Sequence, residues 1–361
     1  MIQLPESIDK IVLDDESKNY FHMHDNVKSN LVFGNSSIEP DLSIMVPANE
    51  RFNTLEKTIL ALQNLKQPKS LKVQFIIVFN NPKFKLDDLK VELDPEKFLI
   101  YVNEENLGMV GNINRICLLS KGKYVSFCHD DDILLDNYLI EIEKYLPKLE
   151  KKNFDCVVPN RYFYSNNLAF EKSAKRKRNI GNLAIFSRKM LRKVNHIDCA
   201  KTWSNCYLGG PTCGVLFRRD TLLSTTGFNE NYPYIFDFVF FVNFSIKHNV
   251  FLLNKFLSVY RVGEGASSNP KVQVDFFKGN LYILALLKAH MRLSSKRVCA
   301  MAYDSYACRT EETRRLIEEE YEFKKPGKLQ YKCYRLNVAW NIFRKNLYRY
   351  SQVPASKRGL M

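Results

Sequence analysis

Three adjacent carboxylates, Asp130, Asp131 and Asp132, are the residues of this sequence best suited to chemistry. They follow an apolar stretch at residues 124–128 and precede another at residues 133–135. Like charges repel at this separation, so the triplet is costly unless a cation compensates it. A divalent cation with oxygen ligands, Mg²⁺ or Mn²⁺, would stabilise the carboxylates and would also bind phosphate oxygens of a substrate. The alternative interpretation is a solvated acidic turn that ends a strand.

The elements around the triplet are predicted from apolar runs and helical spacing. Short apolar runs bounded by Pro or Asn indicate buried strands, and apolar residues three or four apart indicate a helix. The order strand, helix, strand, strand, helix, strand predicts an α/β fold with a doubly wound, mostly parallel sheet. The predicted strands are residues 42–48, 71–80, 98–103 and 123–132, and the predicted helices lie within residues 51–66 and 106–122, the second ending at Gly122.

The ends of these strands predict where a ligand would bind. In doubly wound sheets, ligands lie beyond the carboxyl ends of the strands. Pro47, Asn80, Asn103 and the aspartate triplet all fall at such ends. The Gly-x-x-x-x-Gly-Lys-Ser/Thr loop and the Gly-x-Gly-x-x-Gly motif are both absent from the sequence. The sequence therefore gives no support for a P-loop or a dinucleotide-binding site.

Composition limits the class of protein. The chain has 361 residues, of which 45% are hydrophobic, enough for a large α/β domain and an appendage. Residues 1–20 are polar and acidic, unlike a secretory signal, and no apolar run approaches the length of a membrane span. We therefore expect a cytoplasmic protein. The nine cysteines never occur as Cys-x-x-Cys, which favours reduced thiols over disulfides or a zinc site.

The formal net charge of +15 predicts an anionic partner. Basic residues cluster at 172–193 and in the tail 324–361, which contains no Asp or Glu. In the tail they alternate with aromatic residues, which suits a helix on an anionic membrane surface. Nucleic acid binding and a packed helix with a solvated basic face are the alternatives. Nucleic acid is not expected, because no recognised binding motif accompanies the charge.

The motifs in this order resemble glycosyltransferase family 2 with the GT-A fold. The segments "LSIMVPANER", "FIIVFNN" and "NEENLGMVGNINRICLLSKGKYVSFCHDDDILLDNYL" are similar to the nucleotide-sugar half of that family, and "GGPTCGVLFRRDTLLSTTGFNENYPYIFDFVFF" to its acceptor half. Residues 1–40 show little periodicity and mixed charge, which predicts an irregular N-terminal segment. The resemblance implies a GT-A domain at 41–270. That domain would divide into a nucleotide-sugar half at 41–140 and an acceptor half at 141–270. Beyond residue 270 the spacing of apolar residues is helical, which predicts a basic helical region at 271–361.

The resemblance also implies roles for the donor side. Asp131 matches the main ligand of the divalent cation, Asp132 supports it, and Asp130 matches the residue facing the donor ribose. Asn80 stands where the family usually has an aspartate that contacts the base, and its amide can still pair with a uracil or thymine edge. A UDP-sugar is therefore the favoured donor. Further donor-binding candidates are Pro47, Ala48, Glu50, Arg51, Asn106, Gly108, Asn112, Arg261 and Ser267.

Inverting sugar transfer needs a base that deprotonates the acceptor hydroxyl. The family often carries Glu-Asp at the position of Phe236-Asp237, and the second acid is the usual base. Asp237 lies among phenylalanines, where an ionised carboxylate is costly, so we expect a raised pKa and a role as base. The acceptor-side candidates are Trp203, Gly210 and Glu230, and Glu230 is also the alternative base.

The resemblance implies a metal-dependent inverting glycosyltransferase that uses Mn²⁺ or Mg²⁺. It would move a sugar from a nucleotide-diphosphate donor to a glycan or lipid-linked glycan in the synthesis of lipopolysaccharide or capsule. The basic tail would give peripheral contact with the inner face of the cytoplasmic membrane. Two alternatives stay open: a non-catalytic sugar-binding relative, suggested by Asn80 and the single acid Asp237, and a basic protein that binds nucleic acid.

Overall fold

The structure, a computed structural model, describes residues 2–4, 8, 11, 13, 18–164, 194–197, 212–261, 269–291, 293–323, 325–345 and 350–352. The strands are β1 (Ile2–Leu4), β2 (Ser29–Phe33), β3 (Leu42–Ala48), β4 (Val73–Phe79), β5 (Phe98–Asn103), β6 (Tyr124–Phe127), β7 (Ile133–Leu134), β8 (Cys156–Tyr164), β9 (Val194–Ile197), β10 (Leu216–Arg218), β11 (Val250–Arg261), β12 (Tyr321–Phe323) and β13 (Tyr350–Gln352). The helices are α1 (Phe52–Gln63), α2 (Gly108–Leu119), α3 (Tyr138–Glu150), α4 (Arg219–Leu223), α5 (Phe236–Lys247), α6 (Pro270–Met291), α7 (Ser295–Ala307), α8 (Glu311–Glu320) and α9 (Lys328–Lys345).

A large mixed sheet runs through the centre of the protein in the order β2-β5-β4-β3-β6-β10-β8-β11-β7, with β13 beside β8 and β9 beside β11. The block β5-β4-β3-β6 is parallel. The strand β10 lies between β6 and β8 and is antiparallel to both. The parallel strands are apolar along nearly their whole length because helices cover both faces of the sheet. The predicted α/β fold with a doubly wound, mostly parallel central sheet is confirmed.

Two hydrophobic clusters, one on each face, hold the helices against the sheet. On one face Ile59 of α1 and Ile142 of α3 pack against the side chains of Ile44 and Ile77. On the other, Ile113 of α2 and several phenylalanines of α5 pack in the cluster that contains Met45. Because successive side chains of a strand point to opposite faces, neighbours such as 44 and 45 enter different clusters.

The C-terminal region is helical, as the sequence predicts. The helix α6 lies at the centre of a third hydrophobic cluster, together with residues of α7 and α8. The short strand β12 pairs in parallel with β1 and so ties this region to the start of the chain. Among the residues that the structure describes, no helix has both the length and the apolar character needed to cross a bilayer.

Two details differ from the sequence-based expectation. The segment 1–40 is not wholly irregular, because β2 extends the central sheet by pairing antiparallel with β5. The helix α2 ends at Leu119 rather than at Gly122. A Cβ on Gly122 would lie 2.6 Å from the backbone nitrogen of Ser43, so glycine is needed there for close approach to β3.

Candidate active site

The aspartate triplet lies in a tight turn between β6 and β7, at the carboxyl edge of the sheet. The backbone N–H of Asp132 donates to the carbonyl of His129 at 3.0 Å, which closes the turn. The hydroxyl of Thr58, on α1, donates to the carbonyl of Asp132 at 2.8 Å. The backbone N–H of Cys128 donates to the carbonyl of Met45, which fixes the start of the turn to β3. The turn is therefore held by both neighbouring elements.

Arg51 compensates the charge of the first two aspartates. Its guanidinium pairs with the carboxylate of Asp130 and, at 2.5 Å, with that of Asp131. Asp130 is buried, and burial raises its pKa to about 6, although the charge of Arg51 acts in the opposite direction. Asp131 is more accessible, with 28% of its side chain exposed. Arg51, a predicted donor-binding residue, thus supplies the positive charge that compensates these two carboxylates.

Asp132 is fully buried and faces the predicted diphosphate residue. Its Oδ1 accepts a hydrogen bond from the backbone N–H of Arg261 at 3.3 Å, whereas its Oδ2 has no partner among the described residues. Burial raises the pKa of the Asp132 carboxyl well above its usual range. In the guanidinium of Arg261, Nε and Nη2 are also buried without a partner in the described part of the chain. Asp132 and Arg261, each predicted for the donor side, are thus in contact through the backbone of Arg261.

The carboxylates of the turn can supply only part of the coordination shell of a hard divalent cation. Among the residues that the structure describes, no cluster of three or more His, Cys, Asp or Glu could bind a metal ion. Asp131 and the free oxygen of Asp132 are oxygen ligands of the kind that Mg²⁺ and Mn²⁺ prefer. Such ions commonly bind through one or two carboxylates and complete their shell with water and substrate phosphates. The available side chains fit that mode of binding.

A network of asparagines fixes the neighbouring strand ends. The amide of Asn80 donates to Asn106 Oδ1 at 2.7 Å and to the carbonyl of Gly108 at 3.0 Å. Its Oδ1 accepts from Asn103 at 3.2 Å and from the backbone N–H of Leu107 at 2.9 Å. The side chain of Asn80 thus already makes four hydrogen bonds, and contact with a nucleotide base requires one of them to open.

The other predicted donor-side residues surround this network. Asn112 is buried and accepts from Asn103 at 2.9 Å. Gly108 has a φ of +73°, and nothing lies within 4 Å of a Cβ placed on it, so the left-handed backbone is the reason for glycine here. At the end of β3, Ala48 is buried and Pro47 is partly buried. Glu50, in the following turn, is exposed.

Asp237, the predicted base, lies in the first turn of α5. Its Oδ1 accepts from the backbone N–H of Phe238 at 2.8 Å. Burial raises the pKa of Asp237 to about 7, although the charge of Arg161 opposes this shift. The raised pKa expected from the sequence is therefore found. A pKa near neutrality suits a group that must accept a proton from a hydroxyl.

Arg161 is a residue that sequence reasoning missed. It lies on β8, is almost fully buried, and pairs in register with Ser258 of β11. Its charge acts on both Asp132 and Asp237, lowering the pKa of each against the effect of burial. A charged residue inside an apolar strand was the available sequence signal, since arginine is rarely buried unless it has a partner. Arg161 connects the donor-side turn electrostatically with the acceptor-side helix.

Glu230 belongs to a second cluster that also includes an N-terminal residue. Its Oε2 lies 3.0 Å from His24 Nε2, and its Oε1 is buried without a partner among the described residues. A Cβ on Gly111 would lie 2.9 Å from the same His24 nitrogen, so glycine in α2 makes room for the histidine. Gly111 is one turn along α2 from Gly108, about 4.5 Å in axial rise. His24 and Glu230 therefore lie near the donor side, which the sequence did not indicate for His24.

Three predicted residues, Trp203, Gly210 and Ser267, lie outside the described residues, as does the basic cluster at 172–193. A cavity of about 390 Å³ is formed by α5, α6 and the residues after α4. None of the predicted site residues lines it. The aspartate turn, and not this cavity, carries the groups suited to chemistry.

Comparison with sequence families gives a match over residues 43–220 to the family described as Glycosyl transferase family 2. A GalNAc(5)-diNAcBac-PP-undecaprenol beta-1,3-glucosyltransferase from Campylobacter jejuni is 28% identical over 281 residues, covering 73% of this chain and 81% of that protein. An uncharacterized glycosyltransferase from Methanocaldococcus jannaschii is 29% identical over 127 residues, covering 34% of this chain and 42% of that protein.

Comparison with solved structures gives matches to S. aureus TarS. The superposition has a TM-score of 0.52 at 13% identity and covers 84% of this chain and 54% of TarS. For residues 1–349 of TarS in complex with UDP-GlcNAc, the TM-score is 0.50 at 13% identity, covering 85% of this chain and 93% of that one. At this identity the likeness concerns the fold.

Proposed function

This chain is a glycosyltransferase with a family 2 domain, and we propose that it transfers a sugar, with inversion, from a nucleotide-diphosphate donor to a lipid-linked glycan. One observation carries the proposal. The strand ends of the domain bring Arg51, the three aspartates and the backbone of Arg261 to one edge of the sheet. Two guanidinium nitrogens of Arg261 are buried without a partner among the described residues. Carboxylates beside arginines suit a donor that is bound as a diphosphate with a divalent cation.

The donor side is proposed to work through Asp131, Asp132 and Arg261. Asp131 and Asp132 would hold Mn²⁺ or Mg²⁺, which when bound neutralises charge on the donor diphosphate. The guanidinium of Arg261 would donate hydrogen bonds to the diphosphate as it leaves. Asp130 would face the ribose, and Arg51 would move from the carboxylates to the nucleotide. A UDP-sugar stays the favoured donor.

On the acceptor side, Asp237 is proposed as the general base. Its carboxylate would take the proton of the acceptor hydroxyl while that oxygen attacks the anomeric carbon of the donor sugar. The bond from that carbon to the diphosphate oxygen breaks, and attack from the opposite face inverts the configuration. The pKa of about 7 leaves a useful share of the carboxylate unprotonated at neutral pH.

The relative in C. jejuni, whose name specifies an undecaprenol-linked glycan, supports the proposed acceptor class. A lipid-linked glycan acceptor, as used in surface polysaccharide synthesis, is proposed for this chain by that similarity. Such an acceptor would require the enzyme to work at a membrane surface, and we propose the cytoplasmic face.

The test is release of nucleotide diphosphate from a panel of UDP-, GDP- and dTDP-sugars, with Mn²⁺ or with a chelator. We expect turnover with one nucleotide class, and loss of it both with the chelator and in Asp131→Asn. Asp136→Asn is the matched control, because Asp136 lies in the next turn and pairs with Lys66 at the surface. Turnover that is equal in Asp131→Asn and Asp136→Asn would refute the proposed metal site. Absence of turnover with every donor would refute the proposed reaction.

A further inference from the structure

The helix α9 is attached to the rest of the protein along one face. The hydroxyl of Tyr331 donates to Asp304 Oδ1 at 2.7 Å, and Arg335 Nη1 donates to the same oxygen at 2.8 Å. The rings of Tyr331 and Tyr303 meet edge to face, with centroids 5.1 Å apart. Asp304 and Tyr303 belong to α7, so these contacts fix the rotation of α9 about its own axis.

The opposite face of α9 carries leucines that nothing in the described part of the protein covers. Leu329 is 76% exposed and Leu336 is 62% exposed, more than any other large hydrophobic residue described. They are seven residues apart, which is two helical turns, and therefore lie on the same face. Lys332 and Cys333 lie between them and are also exposed. The result is a narrow apolar stripe directed away from α7.

Positive charge surrounds this stripe. Lys325, Lys328 and Lys332 are exposed around the first turns of α9. From residue 324 to 361 the chain contains ten Lys and Arg and no Asp or Glu. Asp304, the acid that contacts Arg335 of α9, belongs to α7 and therefore lies on the opposite side of α9 from the leucines. A partner of this face must therefore accept two leucines and offer negative charge.

We propose that the outer face of α9, formed by Leu329, Lys332, Cys333 and Leu336 with Lys325 and Lys328, lies on a membrane surface of anionic lipid. An apolar stripe flanked by lysines matches the boundary between acyl chains and acidic headgroups. A membrane suits this pattern better than nucleic acid, whose phosphates offer no apolar layer for the leucines. The inference rests on the proposed function in one respect: the surface would bring the enzyme to a lipid-linked acceptor. Lipid binding itself needs no catalysis and can be measured separately.

The experiment is co-sedimentation of the full chain with vesicles of phosphatidylcholine and phosphatidylglycerol, and with vesicles of phosphatidylcholine alone. We expect binding to the anionic vesicles that weakens as salt is raised. The double variant Leu329→Ser, Leu336→Ser should reduce the partition coefficient about tenfold or more, since two exposed leucines lose their apolar contact. The matched control is Leu60→Ser with Ile140→Ser, at exposed apolar positions on α1 and α3, which should bind normally.

Charge is tested separately. The triple variant Lys325→Gln, Lys328→Gln, Lys332→Gln should lose about fivefold in affinity for each lysine that lies near the lipid surface. The same change of net charge at Lys144, Lys148 and Lys151, which are exposed at α3, should have a much smaller effect.

Several results would overturn the proposal. One is a native chain that fails to sediment with the anionic vesicles, and another is a leucine double variant that sediments like the native chain. If the native chain is a dimer and the leucine double variant, but not its control, is a monomer, the face belongs to a second copy of the chain. RNA binding lost in these variants while vesicle binding persists would assign it to nucleic acid. Donor turnover in vesicle-free solution is measured in parallel, so failure of the proposed reaction is distinguished from failure of this surface.

Discussion

The pKa of Asp237 allows its proposed role as the base to be tested quantitatively. With a pKa of about 7, about a tenth of the carboxylate is ionised at pH 6 and about nine tenths at pH 8. If the ionised form is the base, the transfer rate at saturating donor, acceptor and metal should rise about tenfold between these pH values. Saturating donor matters because the pKa of Asp130, the residue proposed to face the donor ribose, is raised to about 6, and its protonation at pH 6 would weaken donor binding.

The variant Asp237→Asn separates the base from a structural role. It should lower the transfer rate about a hundredfold or more and remove the rise between pH 6 and pH 8, since asparagine cannot accept the proton. Donor affinity, measured by calorimetry, should stay near the native value, because the proposed donor contacts are on other elements. A variant that keeps the native pH profile would refute the reasoning and direct attention to Glu230. Loss of donor binding would instead make Asp237 a structural residue.

Stability gives an independent check on the same residue. The pKa of Asp237 is raised in the folded protein, so the protonated form is favoured by folding. The contribution of Asp237 to the free energy of unfolding is therefore largest below its ordinary value of 3.8 and is lost as the pH rises through about 7. In Asp237→Asn this part of the pH dependence should disappear. Asp130, with its pKa raised to about 6, contributes a fall in the same direction, so the difference between native and variant proteins is the informative quantity.

Three further substitutions test the surroundings of the site. Asn80→Asp restores the acid usual in the family but removes both amide donors, so denaturant unfolding should show a loss of about 1–3 kcal/mol, and an unchanged midpoint would contradict the network. His24→Gln breaks the contact with Glu230 and should destabilise by about 1 kcal/mol, whereas the same change at the exposed His22 should have little effect, and equal effects would argue against the pair. Arg51→Gln removes the cation that competes for the aspartates, so calorimetry should show tighter Mn²⁺ binding without nucleotide, and weaker binding would refute that competition.

The sequence by itself determined the central elements and the place of the site. Continuous apolar runs at residues 42–48 and 98–103 could be buried only as strands covered on both faces, and the helical spacing after each run supplied the cover. Parallel strands present their carboxyl ends at one edge, so Asp130–Asp132 had to lie there. The raised pKa of Asp237 also followed from local sequence, because its nearest neighbours along the helix are apolar and reduce the hydration of the carboxylate.

Tertiary structure alone decided the partners of these residues. No spacing rule connects Arg51 with Asp130, His24 with Glu230, or Arg161 with both Asp132 and Asp237, because each pair is separated by many residues and meets only when the sheet assembles. The role of Asn80 is similar: as a single residue it could form a turn or read a base, and only the positions of Asn103, Asn106 and Gly108 engage its whole amide. Local sequence sets which segments are buried, whereas long-range contacts set which charges and hydrogen-bonding groups they bring together.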